Sequence, residues 1–253
     1  MRFYSLASGS SGNCFFIVGK NSNILIDVGI SYNQLKQKLE TIGYSINDVN
    51  YILITHTHND HIKSLNSFSM SNVYSGVKLP GIINLIEKNT TIDLGEFKIY
   101  AFPLSHDVAC CGYKISDKDE SLIYLTDTGY VNYKIMPVLK DATYYVFESN
   151  HDIEMLMNSK RPSFLKTRIL SDIGHLSNED ASDILTDSIG DNTKEIYLAH
   201  ISRDCNTKEL AYNTLIKTFD RKKYNYSKLR IEMLDKEEIL QGGHLYEEDC
   251  LIG

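Results

Sequence analysis

Tyr51-Ile52-Leu53-Ile54-Thr55-His56-Thr57-His58-Asn59-Asp60-His61 decides the fold of this chain. A run of apolar, strand-forming residues stops, and three imidazoles and a carboxylate follow between positions 56 and 61. Such groups make poor core material, because one buried polar group without a partner costs roughly 2–7 kcal/mol. No apolar period absorbs them. A bound metal does, since neutral imidazole nitrogen and carboxylate oxygen are usual ligands of zinc and its first-row neighbours. The competing reading is a polar surface loop with chance histidines. The density of ligand-type side chains at the end of a strand favours the metal.

Around this cluster the chain alternates between strand and helix patterns. Short apolar runs separated by Gly, Ser and Asn predict strands over 3–7, 14–18, 23–27, 51–55, 97–102, 112–115, 122–126, 144–147, 196–199 and 229–234. Helices are expected over 31–42, 131–140, 152–159, 163–171, 178–189 and 207–219, with one more beginning near His61. A polar tail closes the sequence. The turn Ser8-Gly9-Ser10-Ser11-Gly12-Asn13 lacks the Gly-Lys-Ser/Thr of a P-loop, so a plain loop is expected there. No repeat or low-complexity linker divides the 253 residues, which predicts one domain over 1–253 with sheets inside and helices outside, an α/β (α+β) architecture.

Three further ligand-type residues each follow an apolar strand: His106 in Pro103-Leu104-Ser105-His106, Asp127 in Leu125-Thr126-Asp127, and His200 in Leu198-Ala199-His200. Each alone is weak, because a lone histidine is more often a hydrogen-bonded structural residue. Together with His56, His58, Asp60 and His61 they make seven ligands. A catalytic zinc takes about three protein ligands and keeps one position open. Seven exceed one ion and suit two, with one carboxylate shared, an arrangement that holds a hydroxide and stabilises charge on a phosphoryl or acyl oxygen.

The pattern His56-x-His58-x-Asp60-His61 followed by His106, Asp127 and His200 resembles the metallo-β-lactamase fold superfamily over nearly the whole chain. The resemblance implies a four-layer αββα sandwich of two mixed β-sheets flanked by helices, with the site at one edge. It implies that His56, His58 and His106 hold one metal, that Asp60, His61 and His200 hold the other, and that Asp127 bridges. Four stretches carry a closer likeness: Leu6-Ala7-Ser8-Gly9-Ser10-Ser11-Gly12-Asn13, Thr126-Asp127-Thr128-Gly129-Tyr130, Phe147-Glu148-Ser149-Asn150-His151-Asp152, and 171–180. They are similar to the YycJ/WalJ branch, whose metal motifs resemble those of tRNase Z and the PhnP phosphodiesterases. That branch is linked to 5′-to-3′ exonuclease activity on double-stranded DNA. The likeness therefore implies two divalent ions (Zn2+, Mn2+ or Fe2+), duplex DNA as substrate, a hydroxide held by both metals as nucleophile, and Asp60 orienting it.

His175 precedes Ser177 and Asp180, which have capping-box spacing for the next helix. It serves either as part of that cap or as a phosphate contact and proton donor to the leaving oxygen. His151 follows a strand and either reaches the substrate or only fixes the start of a helix. The interval 155–171 carries Lys160, Arg161, Lys166 and Arg168 and no acidic residue. In a chain of net charge −7 this is a local positive segment, either a track for a nucleic-acid backbone or a solvated helix face. Cys205, Cys110 and Cys111 read as packed thiols, and His244 as a surface residue.

The five cysteines lack CxxC spacing, which argues against a disulfide framework and for a reducing cytoplasm. No stretch approaches the about 20 apolar residues of a membrane span, and the first residues lack a signal-peptide run. Two rivals remain at this level: a hydrolase of a small phosphodiester, thioester or lactam using the same metals, and a non-catalytic metal-binding regulatory protein.

Overall fold

The computed structural model describes residues 1–82, 84–87 and 89–244; Cys250 lies outside the described residues. Among the described residues, fourteen strands form two seven-stranded sheets. The first contains β1 (Arg2–Ala7), β2 (Cys14–Val18), β3 (Asn23–Ile26), β4 (Tyr51–Ile54), β5 (Val73–Ser75) and β6 (Asn84–Leu85). The second contains β7 (Thr91–Leu94), β8 (Phe97–Leu104), β9 (Cys110–Ser116), β10 (Ser121–Leu125), β11 (Tyr144–Glu148), β12 (Glu195–Ala199) and β13 (Arg230–Met233). The last strand, β14 (Leu240–Gly243), returns to the first sheet and pairs antiparallel with β1. Both sheets are mixed, with β3 to β6 parallel in one and β10 to β13 parallel in the other.

The near-continuous apolar strands are explained by burial on both faces. Between the sheets, Phe3, Phe15, Ile17 and Leu53 pack against Tyr113, Tyr124, Tyr144 and Tyr197. The alternate residues point outward. Phe16, Leu25 and Ile52 meet Leu35 and Leu39 of α1 (Tyr32–Thr41). On the far side, Tyr145, Phe147 and Leu198 meet Leu185 of α6 (Asn178–Ser188) and Leu215 and Phe219 of α7 (Lys208–Arg221). The layers are therefore helix, sheet, sheet, helix, as the resemblance implied.

Some expectations need correction. The helix near His61 is a single turn, α2 (Asn59–Ile62), followed by short 3-10 turns. The segment 131–140 is a 3-10 turn leading into α3 (Met136–Leu139), with Pro137 in its first turn. The polar tail contains β14, whose Gly242 lies against the Phe3 ring and the Tyr197 hydroxyl, a contact with no room for a side chain. The strands β5, β6 and β7 carry too few apolar residues to show in the pattern. No described helix is long and apolar enough to cross a membrane.

Glu120, in the turn between β9 and β10, ties the N-terminus to the second sheet. It accepts from the Met1 ammonium at 2.6 Å, the Tyr144 hydroxyl at 2.7 Å and Lys194 Nζ at 3.0 Å. Burial alone would raise its carboxyl, but these donors outweigh burial and hold it below its ordinary value. A depressed folded pKa stabilises the protein above the unfolded value of about 4.3 and loses that contribution as pH falls through the folded value. Glu120→Gln should therefore lower Tm by a few degrees at pH 7, with the gap to wild type closing below about pH 4 in a calorimetric pH series.

Candidate metal centre

Six strand ends deliver the site. Asp27 follows β3, Thr55, His56 and His58 follow β4, and His106 follows β8; Asp127 follows β10, Glu148 ends β11, and His200 follows β12. Asp27, Asp127 and His200 have positive φ, at 58°, 62° and 55°. Such backbone costs on the order of 1–3 kcal/mol for a residue with a side chain, and its clustering marks a functional rim.

The ligand atoms form overlapping groups, each within 4.8 Å: His56, His58 and His106; Asp60, His61 and His200; and His56, His61 and Asp127. The sequence-predicted seven therefore lie together, with Asp127 in the middle. Its Oδ2 is 3.2 Å from His61 Nε2 and its Oδ1 is 3.5 Å from His200 Nε2. Asp60 stands at the mouth, its side chain 24% exposed, whereas His56 and His61 are fully enclosed.

Each imidazole is anchored on its far nitrogen. His61 Nδ1 lies 2.7 Å from Asp27 Oδ2, His56 Nδ1 3.0 Å from Thr55 Oγ1, and His106 Nδ1 3.2 Å from the Gly174 carbonyl. His58 Nε2 lies 3.1 Å from Asp107 Oδ1, and His200 Nδ1 2.9 Å from Glu148 Oε1. Histidines that bind metal are held this way, which fixes tautomer and ring direction. The inward atoms pass a second test. His56 Nε2 and His200 Nε2 are buried with no hydrogen-bond partner, and Asp127 Oδ2 meets His61 as a charge rather than along a hydrogen-bond direction. Orphaned buried polar atoms of this kind are costly, and a cation satisfies all three.

Electrostatics agrees. Burial pushes His56 down to about 2 and lowers His106, keeping their lone pairs available. Burial opposes a proton on His61 and His200, yet Asp127 with Asp27 holds the first well above its ordinary value, and Asp127 with Glu148 holds the second at about 9. The carboxylates draw positive charge to the centre of the cluster.

Two anchors, Asp27 and Glu148, are absent from the sequence-predicted site. Asp27 accepts from both the backbone N–H and the hydroxyl of Thr55 besides facing His61. Glu148, wholly buried, spans His175 Nδ1 at 2.8 Å and His200 Nδ1 at 2.9 Å. The sequence does hold a signal for them: Ile26-Asp27 and Phe147-Glu148 each end an apolar run in a carboxylate, as Leu125-Thr126-Asp127 does.

The glycine-rich turn has a bracing role. Asn13 N donates to the Asp60 carbonyl at 2.8 Å, and Gly29 N donates to the Asn13 carbonyl at 2.8 Å. A Cβ on Gly29 would lie 1.6 Å from the Asp60 carbonyl oxygen. Gly29→Ala should displace the Asp60 backbone, weaken metal binding by roughly 10-fold or more, as loss of a supporting contact does, and lower Tm. Metal titration against a competing chelator reads the first effect.

The remaining predicted residues distribute unevenly. His175 reaches the cluster through Glu148, its Nδ1 3.8 Å from Asp127 Oδ1. The helix N-terminus beside it is not open: Ser177 and Asn178 are buried, Asn178 N donates to the His151 carbonyl, and Asp180 N donates to Ser177 Oγ. His175 therefore faces the site by its ring alone. His151 is 1% exposed, and neither ring nitrogen has a partner. Arg168 pairs with Asp107, Arg161 with Asp204 at 3.1 Å, and Lys166 Nζ donates to the Met157 carbonyl at 2.6 Å; Lys160 is exposed. Cys14, Cys110, Cys111 and Cys205 are free and buried, and His244 is exposed at the surface.

Fold and site are those of a metallo-hydrolase. Residues 7–69 match the family model of the metallo-beta-lactamase superfamily. The metallo-β-lactamase fold protein YhfI from Bacillus subtilis superposes with a TM-score of 0.68 at 14% identity, over 95% of this chain and 99% of that one. Exodeoxyribonuclease YycJ of Bacillus anthracis is 37% identical over 238 residues, covering 88% of this chain and 90% of the relative. Exodeoxyribonuclease WalJ of Streptococcus pneumoniae is 36% identical, covering 85% and 87%. The chain belongs to the YycJ/WalJ family of that superfamily. Its His/Asp groups fit a dinuclear divalent metal site.

Proposed function

We propose that this protein is a metal-dependent phosphodiesterase that degrades double-stranded DNA from the 5′ end. The observation that carries the proposal is the pair of three-ligand groups, His56/His58/His106 and Asp60/His61/His200, meeting at one buried carboxylate, Asp127. The DNA substrate is supported by the names of the relatives, both exodeoxyribonucleases. Zn2+, Mn2+ and Fe2+ all accept this nitrogen and oxygen donor set.

Two divalent ions supply Lewis acidity at a phosphoryl oxygen and make a water acidic enough to attack at neutral pH. The chain contributes the rest. Asp60, at the open side of the cluster, orients the attacking water and accepts a hydrogen bond from it. His175, tied at Nδ1 to Glu148, keeps its Nε2 free to steady the phosphate or protonate the leaving oxygen. Lys160, exposed at the surface, supplies positive charge for a backbone phosphate. The free, buried thiols support a cytoplasmic setting.

The test is a substrate panel run on chelator-treated and metal-restored protein. Duplex DNA should be degraded only after metal is returned, with thioesters and lactams untouched. Turnover of a thioester or lactam in preference to DNA would sink the proposal.

A further inference from the structure

Apart from Leu85, every exposed large apolar side chain among the described residues falls between Tyr130 and Ile173. Phe164 is the most open, at 77%, followed by Tyr133 at 72%. An exposed aromatic loses contact with apolar neighbours, so this concentration signals a surface built to meet something.

Its position says what. Phe164 opens α5 (Ser163–Ile169), and Arg168 lies four residues on, hence on the same helix face, with Cβ atoms about 5–6 Å apart. Arg168 pairs with Asp107, whose other oxygen lies 3.1 Å from His58 Nε2. The preceding helix, α4 (Ile153–Asn158), is locked to α5 by Leu156, Leu165 and Ile169 around Cys205. The loop after α5 donates from His175 N to the Ile169 carbonyl, and Gly129, next to Tyr130, packs against Ser171 and Gly174. Phe164 is thus linked to the metal-ligand cluster through Arg168, Asp107 and His58. Over 155–171 there are four cations and no acidic residue; Arg161 and Arg168 are paired with Asp204 and Asp107, and Lys160 is exposed.

The geometry points to a base-stacking platform: Phe164 holds an unpaired nucleobase of the strand that leads into the site, while Lys160 meets its phosphates. The occupant is a single strand of nucleic acid. An exposed aromatic beside a cation suits a strand that offers both free bases and phosphates, whereas a buried duplex stack offers no free base face to Phe164. The inference rests on the nuclease function proposed above and extends it: the duplex end is peeled open at α5 before cleavage.

The experiment is a cycle between protein and DNA on the metal-loaded full chain. Wild type, Phe164→Ala and Phe164→Trp are compared on an end-labelled duplex and on the same duplex carrying abasic positions two to four nucleotides from the 5′ end. Bis(p-nitrophenyl) phosphate, which has no base, reports the metal centre alone. Phe164→Ala should raise KM for the intact duplex by about 10-fold, the loss of one base–aromatic stack. Phe164→Trp should restore it. The abasic duplex should show the same loss with wild type and no further loss with Phe164→Ala, because each change removes the same contact. Bis(p-nitrophenyl) phosphate turnover should not move. Additive losses, no loss, or an equal loss on bis(p-nitrophenyl) phosphate would overturn the platform. So would a wild-type dimer that becomes monomeric in Phe164→Ala by light scattering, since the patch would then be a self-association surface. Wild type that cleaves bis(p-nitrophenyl) phosphate but no DNA would overturn the nuclease function itself.

Discussion

Asp127→Asn should reduce phosphodiester turnover by about 10³-fold or more and leave the protein folded. The Asp127 carboxylate lies within 4.8 Å of His56, from one ligand group, and is 3.2 Å from His61 and 3.5 Å from His200, from the other. Its carboxyl is held well below the ordinary value: burial opposes its charge, and His200 and His61 overcome that opposition. Asparagine removes the charge, yet tolerates the backbone at φ 62° better than alanine does. The effect on the fold is therefore confined. The loss in rate follows from losing an ion or its alignment, each worth several kcal/mol of transition-state stabilisation. Metal analysis of the purified variant should show fewer equivalents than wild type. Full turnover in Asp127→Asn protein with wild-type metal content would remove Asp127 from the shared position.

Glu148→Gln should be nearly as damaging, through a different route. The Glu148 carboxylate is enclosed and held at about 2, burial opposing its charge and His175 and His200 favouring it. It takes four donors: the two histidine nitrogens on Oε1, and the N–H groups of Thr128 and Leu176 on Oε2 at 3.0 and 3.2 Å. Glutamine offers one acceptor and turns an NH2 toward the other pair of donors. Breaking a buried, charge-assisted network of this kind costs about 3–5 kcal/mol. For a chain of this size that corresponds to a fall in Tm of roughly 10 °C. His200 also loses its orientation, so metal affinity should drop by about 10- to 100-fold. Scanning calorimetry on the metal-free protein separates the stability effect from the metal effect, which a chelator-competition titration measures. Unchanged Tm and affinity would make Glu148 a bystander.

Much of the site is legible in the sequence because it obeys one rule: a polar, ligand-type residue directly after an apolar strand. His56, His106, Asp127 and His200 all follow it, and the two sheets bring those strand ends to one rim. Asp27 and Glu148 obey the same rule but do not stand out, because a single acidic residue ending a strand looks like ordinary solvation until the opposing histidine is known. The partner is distant in sequence: Asp27 meets His61, and Glu148 meets His175 and His200. No local pattern encodes such a pairing. The helical layers are legible from spacings such as Leu35 and Leu39. The short strands β5, β6, β7 and β14 are not, since their two to four residues hold too few apolar side chains to show an alternation. The basic segment is only partly a free charge. Arg161 and Arg168 are already paired with Asp204 and Asp107, and the charge count alone hides this.

The most direct test of the account uses linear duplex DNA, labelled separately at the 5′ and 3′ ends and digested by protein carrying two metal equivalents, beside an Asp60→Ala control. Wild type should release the 5′ label stepwise and retain the 3′ label until late in the reaction, and Asp60→Ala should release neither. An undigested duplex, or equal release by the Asp60→Ala protein, would contradict the account.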